Sequence, residues 1–184
     1  MSDESDFGVA SGTQTVRFER LLPGPIERVW TYLVESDKRG QWLASGDDVP
    51  AQVGGEFQMF FHHGSLSPEQ TPTPERFKKY EDGIASMHRV TRYEPPHTLG
   101  FTWSDGADGG RSDVLIELAA LGDKVRFVLT HRKLSGRHAQ VNVSGGWHTH
   151  LAVLDERLNG RVPVSFWTLF EGVEEQYEQR YPRA

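Results

Sequence analysis

The stretch SGGWHTHLAVLDERLNG, residues 144 to 160, predicts one long amphipathic helix around which the rest of the chain is organised. Ser144 is typical of a helix N-cap and Gly160 of a C-terminal stop. The apolar positions are four, three and four residues apart, which places them on one stripe of a helix: Trp147, Leu151, Leu154 and Leu158. Because such a stripe must be buried, the helix needs a sheet to lie on.

Upstream of this helix, short segments alternate between apolar and polar residues, as half-buried strands do. They are residues 13–20, 56–62, 83–94, 97–104, 112–121 and 124–133. Turns at short intervals, including DGADGG at residues 105–110, favour antiparallel pairing. Two short helical patterns follow the first strand, from Ile26 and from Asp37. The sequence therefore predicts the α+β class, with a curved antiparallel sheet wrapped around a long C-terminal helix and two short helices after the first strand.

Composition excludes several classes of function. The chain has 184 residues and a net charge of −6, which gives it no overall attraction to nucleic acid or to anionic membranes. Cysteine is absent, so disulfides, thiolate catalysis and cysteine-based metal centres are excluded. No apolar run is long enough to span a membrane, and the acidic N-terminus does not resemble a secretory signal. We therefore expect a cytoplasmic protein.

The chain is predicted to form one domain with an appendage at each end. Residues 1–12 are polar and contain glycine and serine, so we expect a flexible N-terminal tail. Residues 13–160 form the domain, and residues 161–184 form a C-terminal extension packed on it or at a homodimer interface. Residues 64–79 contain three prolines and little periodicity, and we interpret them as a flap.

Several sequence features in this order resemble a known superfamily. They are the strand Val16–Arg20 before PIERVW (25–30), WL (42–43), GGEF (54–57), YEPP (93–96), LGFTW (99–103), and GGW (145–147) before the leucine stripe. Together they are similar to the helix-grip superfamily of START, Bet v 1-like and polyketide cyclase domains (SRPBCC). Within it, the chain resembles the branch related to the C-terminal domain of the activator of Hsp90 ATPase. The resemblance implies a cavity between the sheet and the long helix, but it places no catalytic set on these residues.

The histidines do not form a metal-binding pattern. His148 and His150 are two residues apart on the predicted helix, so their side chains point about 200° apart. His62 and His63 are neighbours on a strand and point to opposite faces. We therefore predict no metal and no other cofactor, and we expect the helix histidines to face solvent or to flank the apolar stripe.

The candidate binding residues are aromatic and histidine side chains on the predicted inner faces of the strands and the helix. They could line a pocket for an apolar molecule, although the same side chains could also fill a core. His88 and His131 could orient a ligand or act as a general base; the alternative is a core histidine with its hydrogen bonds satisfied. The predicted ligand-binding set is Trp42, Phe57, Phe61, His88, Phe101, Trp103, Phe127, His131, Trp147 and Leu151.

These features favour binding of a hydrophobic small molecule or a lipid-like ligand. One alternative is a co-chaperone-like, stress-response module that binds a chaperone or another protein, as the resemblance implies. An exposed apolar patch of Phe166, Trp167 and Phe170 would support it. The other alternative is a cyclase- or hydrolase-like enzyme that uses a pocket histidine such as His131.

Overall fold

The computed structural model describes residues 4–104 and 111–181, and this part of the chain contains eight strands and four α-helices. The strands are β1 (Val9–Ala10), β2 (Val16–Pro23), β3 (Ser45–Gly46), β4 (Glu56–Phe61), β5 (Ile84–Glu94), β6 (Thr98–Ser104), β7 (Arg111–Leu121) and β8 (Lys124–Arg132). The helices are α1 (Ile26–Val34), α2 (Ser36–Arg39), α3 (Arg137–Leu158) and α4 (Phe166–Arg180). None of these helices is both long and apolar enough to cross a membrane. The loop predicted at residues 105–110 lies outside the described residues.

The strands form one curved antiparallel sheet in the order β1-β2-β8-β7-β6-β5-β4-β3. Strands that are adjacent in the sheet are also adjacent along the chain, except where β2 pairs with β8. That pairing runs from Val16 opposite His131 to Pro23 opposite Lys124. The predicted α+β class and helix-grip arrangement, with two short helices after a strand, are confirmed.

Alternation along the strands decides which face of the sheet is buried. On β8, the side chains of Val125, Phe127 and Leu129 are fully buried, whereas Arg126 between them is exposed. The other long strands alternate in the same way, and α1 contributes its apolar stripe to the same core. The helices therefore pack against the inner, apolar face of the sheet.

Helix α3 begins earlier than the sequence predicted. Its first residue is Arg137, and the backbone enters the helix from Gly136, whose φ is 142°. The prediction that Ser144 is the N-cap was wrong, because this residue is buried inside the helix and its hydroxyl is hydrogen-bonded to that of Tyr181 at 2.9 Å. The predicted end is close to the observed one, since α3 ends at Leu158 and Gly160 follows with a positive φ.

Helix α4 packs along α3, on a side that the sequence left unassigned. The approach is close at Gly145, where an added Cβ would lie 3.2 Å from the ring of Phe170. Glycine at this position therefore serves the contact between the two helices rather than the start of α3.

The N-terminal segment is also attached to this side of the molecule. Strand β1 pairs with β2, and Phe7 is buried with its ring 4.8 Å from that of His148 and 5.4 Å from that of Tyr177. Burial of Phe7 and the added strand pairing offset the entropy lost on ordering these residues. Residues 4–10 thus differ from the flexible tail expected over residues 1–12, while the boundaries proposed for the domain and its C-terminal extension stay predictions.

The segment predicted as a flap is held against α4. Phe77 stacks on Trp167 with 5.2 Å between ring centroids, Arg76 pairs with Glu174, and the Ser67 hydroxyl donates to the Pro163 carbonyl at 2.7 Å. These contacts join residues 64–79 to α4 and to the residues that precede it, so the segment packs against the C-terminal part of the chain.

Candidate functional site

Seven of the ten predicted site residues form one continuous row of rings between the sheet and α3, called here the aromatic row. Each ring centroid lies within 6.4 Å of another in the row. The shortest separation, 5.0 Å, joins Trp103 to Trp147 and so connects the sheet to the helix. The row consists of Phe57, Phe61, His88, Phe101, Trp103, His131 and Trp147.

Strand periodicity explains why these rings meet. Phe57 and Phe61 are four residues apart on β4, and Phe101 and Trp103 are two apart on β6, so each pair lies on one face of its strand. The register places His88 of β5 directly opposite Phe57. The sequence pattern therefore carried the information needed to find the row.

Trp103 is the ring of the row that reaches the surface. Its side chain is half-buried, whereas the other six residues are at most 9% exposed. The indole nitrogen of Trp147 donates to His131, but no hydrogen bond holds the Trp103 indole within residues 4–104 and 111–181. Contacts with neighbouring rings are therefore what hold Trp103 in place.

His131 lies in a hydrogen-bonded chain that fixes its tautomer. Its Nδ1 accepts a hydrogen bond from Trp147 Nε1 at 3.0 Å, so the imidazole proton is on Nε2. Nε2 then donates to Ser112 Oγ at 2.7 Å, and this hydroxyl donates to the Trp103 carbonyl. Both ring nitrogens are engaged, which is the arrangement of a buried histidine that links α3 to the sheet.

His88 is held in the same manner in the middle of β5. Its Nδ1 donates to the Thr102 carbonyl at 2.8 Å, and its Nε2 accepts from the Ser86 hydroxyl at 2.7 Å. Burial lowers the pKa of His88, partly opposed by the hydrogen bond to Thr102. The ring is therefore a neutral imidazole at physiological pH, with its polar atoms already paired.

The three remaining predicted residues lie outside the row. Trp42 is fully buried and lines a cavity of about 10 Å³ together with Phe57 and Phe101 of the row. Such a void has room for about one water molecule. Phe127 and Leu151 are fully buried in the core.

The same cavity is lined by a charged residue that the sequence analysis missed, Arg39 of α2. Its side chain is 2% exposed and lies with its guanidinium carbon 5.7 Å from the centroid of Phe57. It stands in the polar run Ser36–Arg39, which has the composition of a solvent-exposed turn. No sequence pattern marks this arginine as buried.

His148 and His150 of α3 are buried, so the alternative that they face solvent was wrong. His148 packs beneath Phe7 and Tyr177, and the Nδ1 of His150 donates to the Trp42 carbonyl at 2.7 Å. The ring of His150 also lies 5.3 Å from that of His63. Burial lowers the pKa of His150 to about 3, and the pKa values of His63 and His148 to about 4. Within the described part of the chain, no three His, Asp or Glu side chains converge as metal ligands.

A larger concavity, about 280 Å³, lies on the opposite face of the sheet. Its lining includes Arg17, Glu117 and Arg126, and both arginines pair with Glu19. The hydrogen bonds from Arg126 and Arg17 lower the pKa of Glu19 to about 2. This groove is polar and open, and it shares no residue with the predicted site.

Comparison with known proteins agrees with the fold. The family model described as "Activator of Hsp90 ATPase homolog 1-like protein" matches residues 23–159. A Bordetella parapertussis protein solved by NMR is 45% identical and has a TM-score of 0.80, with 100% of this chain and 96% of that chain covered. No curated protein matches at a significant level.

Two more distant structures are similar in fold alone. CalU16 of Micromonospora echinospora is 18% identical with a TM-score of 0.62, covering 90% of this chain and 86% of that chain. DynU16, from the dynemicin biosynthetic locus, is 18% identical with a TM-score of 0.62, covering 81% of this chain and 49% of that chain.

Proposed function

Because the chain belongs to the family of Activator of Hsp90 ATPase homolog 1-like proteins, whose fold is compatible with small-molecule binding, we propose that it binds a hydrophobic small molecule along the aromatic row. The observation that carries this proposal is Trp103, a half-buried indole that continues the buried row to the surface. A planar or extended apolar molecule would enter at Trp103 and stack against the row.

Ligand entry requires the rings to part. The cavity beside Phe57 and Phe101 measures about 10 Å³, whereas a small-molecule pocket typically measures roughly 300 Å³ or more. Trp103 is suited to move because ring contacts rather than hydrogen bonds hold it. A ligand between Trp103 and its neighbours would replace the ring contacts that are lost, and the indole would close over it.

The alternatives receive less support from the contacts. Phe166, Trp167 and Phe170 are 3–5% exposed and pack on the chain's own Leu66 and Phe77, so the exposed patch that favoured a protein-interaction role is absent. A hydrolase- or cyclase-like role for His131 needs a nitrogen able to accept a proton from a substrate. Its Nδ1 is already occupied by the Trp147 indole, and its Nε2 carries the proton.

The proposal is tested by titrating the protein with the neutral fluorescent probe N-phenyl-1-naphthylamine, after native mass spectrometry has excluded a co-purified ligand. We expect Trp103→Ala to weaken binding at least tenfold, which is about 1.4 kcal/mol and within the range of a lost aromatic stack plus its buried area. Arg126→Ala, a change on the outer face of the same sheet, should leave the affinity unchanged. Equal effects of the two substitutions, or no saturable binding, would remove the aromatic row as a binding site.

A further inference from the structure

Arg39 is a buried cation without a direct counter-ion. Among the described residues no carboxylate lies within salt-bridge distance of its guanidinium, although the side chain is only 2% exposed. Instead, Nε donates to the Ala44 carbonyl at 3.1 Å, Nη2 to the Asp47 carbonyl at 2.5 Å, and Nη1 to the Val34 carbonyl at 3.5 Å. A guanidinium has five N–H groups, so two of them have no acceptor within the described chain.

The nearest acidic side chains are turned to other partners. The Asp47 carboxylate accepts from the backbone N–H of Gln58 at 2.8 Å, and that of Asp48 accepts from the N–H of Ser36 at 2.7 Å. Burial lowers the pKa of Arg39 to about 10, partly opposed by Asp48 and Asp47, so the guanidinium is still charged at neutral pH. A buried charge that makes no ion pair is costly, and an anion brought to it recovers part of that cost.

Arg39 also faces the region where the proposed ligand would lie. It lines the 10 Å³ cavity together with Trp42, Phe57 and Phe101, and the remainder of that lining is apolar. The guanidinium lies 5.7 Å from the Phe57 ring, which is one end of the aromatic row. A positive group thus stands at the buried Phe57 side of an otherwise apolar site, and the ring of His88 connects Phe57 to Trp103, which reaches the surface.

We propose that the ligand is an amphipathic carboxylic acid whose carboxylate is bound by Arg39 while its apolar body lies along the aromatic row. This inference rests on the proposed function and adds the chemical class of the ligand. The small void favours a carboxylate over a phosphate, because a carboxylate has two oxygens rather than four and needs less opening of a space that holds about one water. The planar fork of a guanidinium also matches a carboxylate.

The test compares two ten-carbon probes, decanoate and 1-decanol, by displacement of N-phenyl-1-naphthylamine at pH 7.5. We expect decanoate to bind wild-type protein at least tenfold more tightly than decanol. In Arg39→Met this preference should disappear while decanol still binds, and Arg39→Lys should keep part of it because the charge remains. Arg126→Met, which removes an arginine from the outer face, should keep the wild-type preference.

A second readout uses the wild-type protein alone, in case Arg39→Met fails to fold after losing its three hydrogen bonds to backbone carbonyls. The buried Nε–H of Arg39 should give a resolved NMR signal that shifts on addition of decanoate and not of decanol. If decanol and decanoate bind equally, or if this signal does not respond to decanoate, the role of Arg39 is wrong and the apolar site stands. If neither probe displaces the dye and the dye itself does not bind, the proposed function is wrong as well.

Discussion

Acidification from pH 7.5 to pH 5 should remove a large part of the stability of this protein, because several histidines are buried in their neutral form. Burial lowers the pKa of His150 to about 3, and those of His63 and His148 to about 4. In the unfolded chain the same rings titrate near the ordinary value of about 6.5. Between these values the unfolded state binds more protons than the folded state, so stability falls as the pH is lowered from about 6.5 towards 4.

The magnitude follows from the two pKa values of each group. At pH 5 a histidine with a folded pKa of about 4 and an unfolded pKa of about 6.5 costs about 2 kcal/mol relative to pH 7.5, so the two fully buried rings of His148 and His150 cost about 4 kcal/mol together. Domains of this kind are stable by about 5–15 kcal/mol, so the loss is substantial. Hydrogen bonds from Arg126 and Arg17 lower the pKa of Glu19 to about 2, so the ionised carboxylate stabilises the folded state. This contribution is lost only below about pH 4.5, and Glu19 therefore does not add to the loss between pH 7.5 and pH 5.

Urea unfolding at the two pH values measures this difference, provided that the m-value stays constant. His150→Asn provides the critical variant, because its side-chain amide can still donate to the Trp42 carbonyl but cannot be protonated. We expect it to reduce the pH-dependent loss by about 2 kcal/mol. His138→Asn, an exposed position on the same helix, is the matched control and should not change the loss. An equal pH dependence in wild type and His150→Asn would refute the reasoning.

Three further substitutions test helix α3 and the packing of α4 and the N-terminal segment on it. Tyr177→Phe removes the hydroxyl that accepts a hydrogen bond from the buried Gly8 N–H at 2.7 Å, and it should lower the unfolding free energy by about 1–3 kcal/mol. The control is Tyr80→Phe, because the Tyr80 hydroxyl makes no hydrogen bond within the described chain. This control should leave the unfolding free energy unchanged in the same urea experiment. Gly146→Ala should stabilise α3 by about 0.5–1 kcal/mol, since no atom lies within 4 Å of the added Cβ. Gly145→Ala should gain less, because its Cβ would lie 3.2 Å from Phe170; a larger gain at Gly145 than at Gly146 would contradict the observed helix contact.

The inner face of the sheet was predictable because strand periodicity is a local property. Leu99, Phe101 and Trp103 alternate with polar or small residues, and this pattern is enough to place them on one face. The contacts among the rings of the aromatic row follow from that face and from antiparallel pairing. Arg39 was not predictable, since its burial depends on the carbonyls of Ala44 and Asp47 in the loop that follows it and on the position of Phe57. Neither is marked in the sequence around it.

The histidines of α3 show where a helical pattern misleads. The leucine stripe identifies the face that meets the sheet, and the usual inference is that the remaining faces are in water. In this fold α4 and the N-terminal segment cover a second face, so His148 and His150 are as buried as the stripe itself. Because this second face is covered, the two imidazole rings are inside the molecule and their pKa values are lowered. The contact of Gly145 with Phe170 of α4 could not be predicted from the sequence either, because it joins residues far apart in the chain.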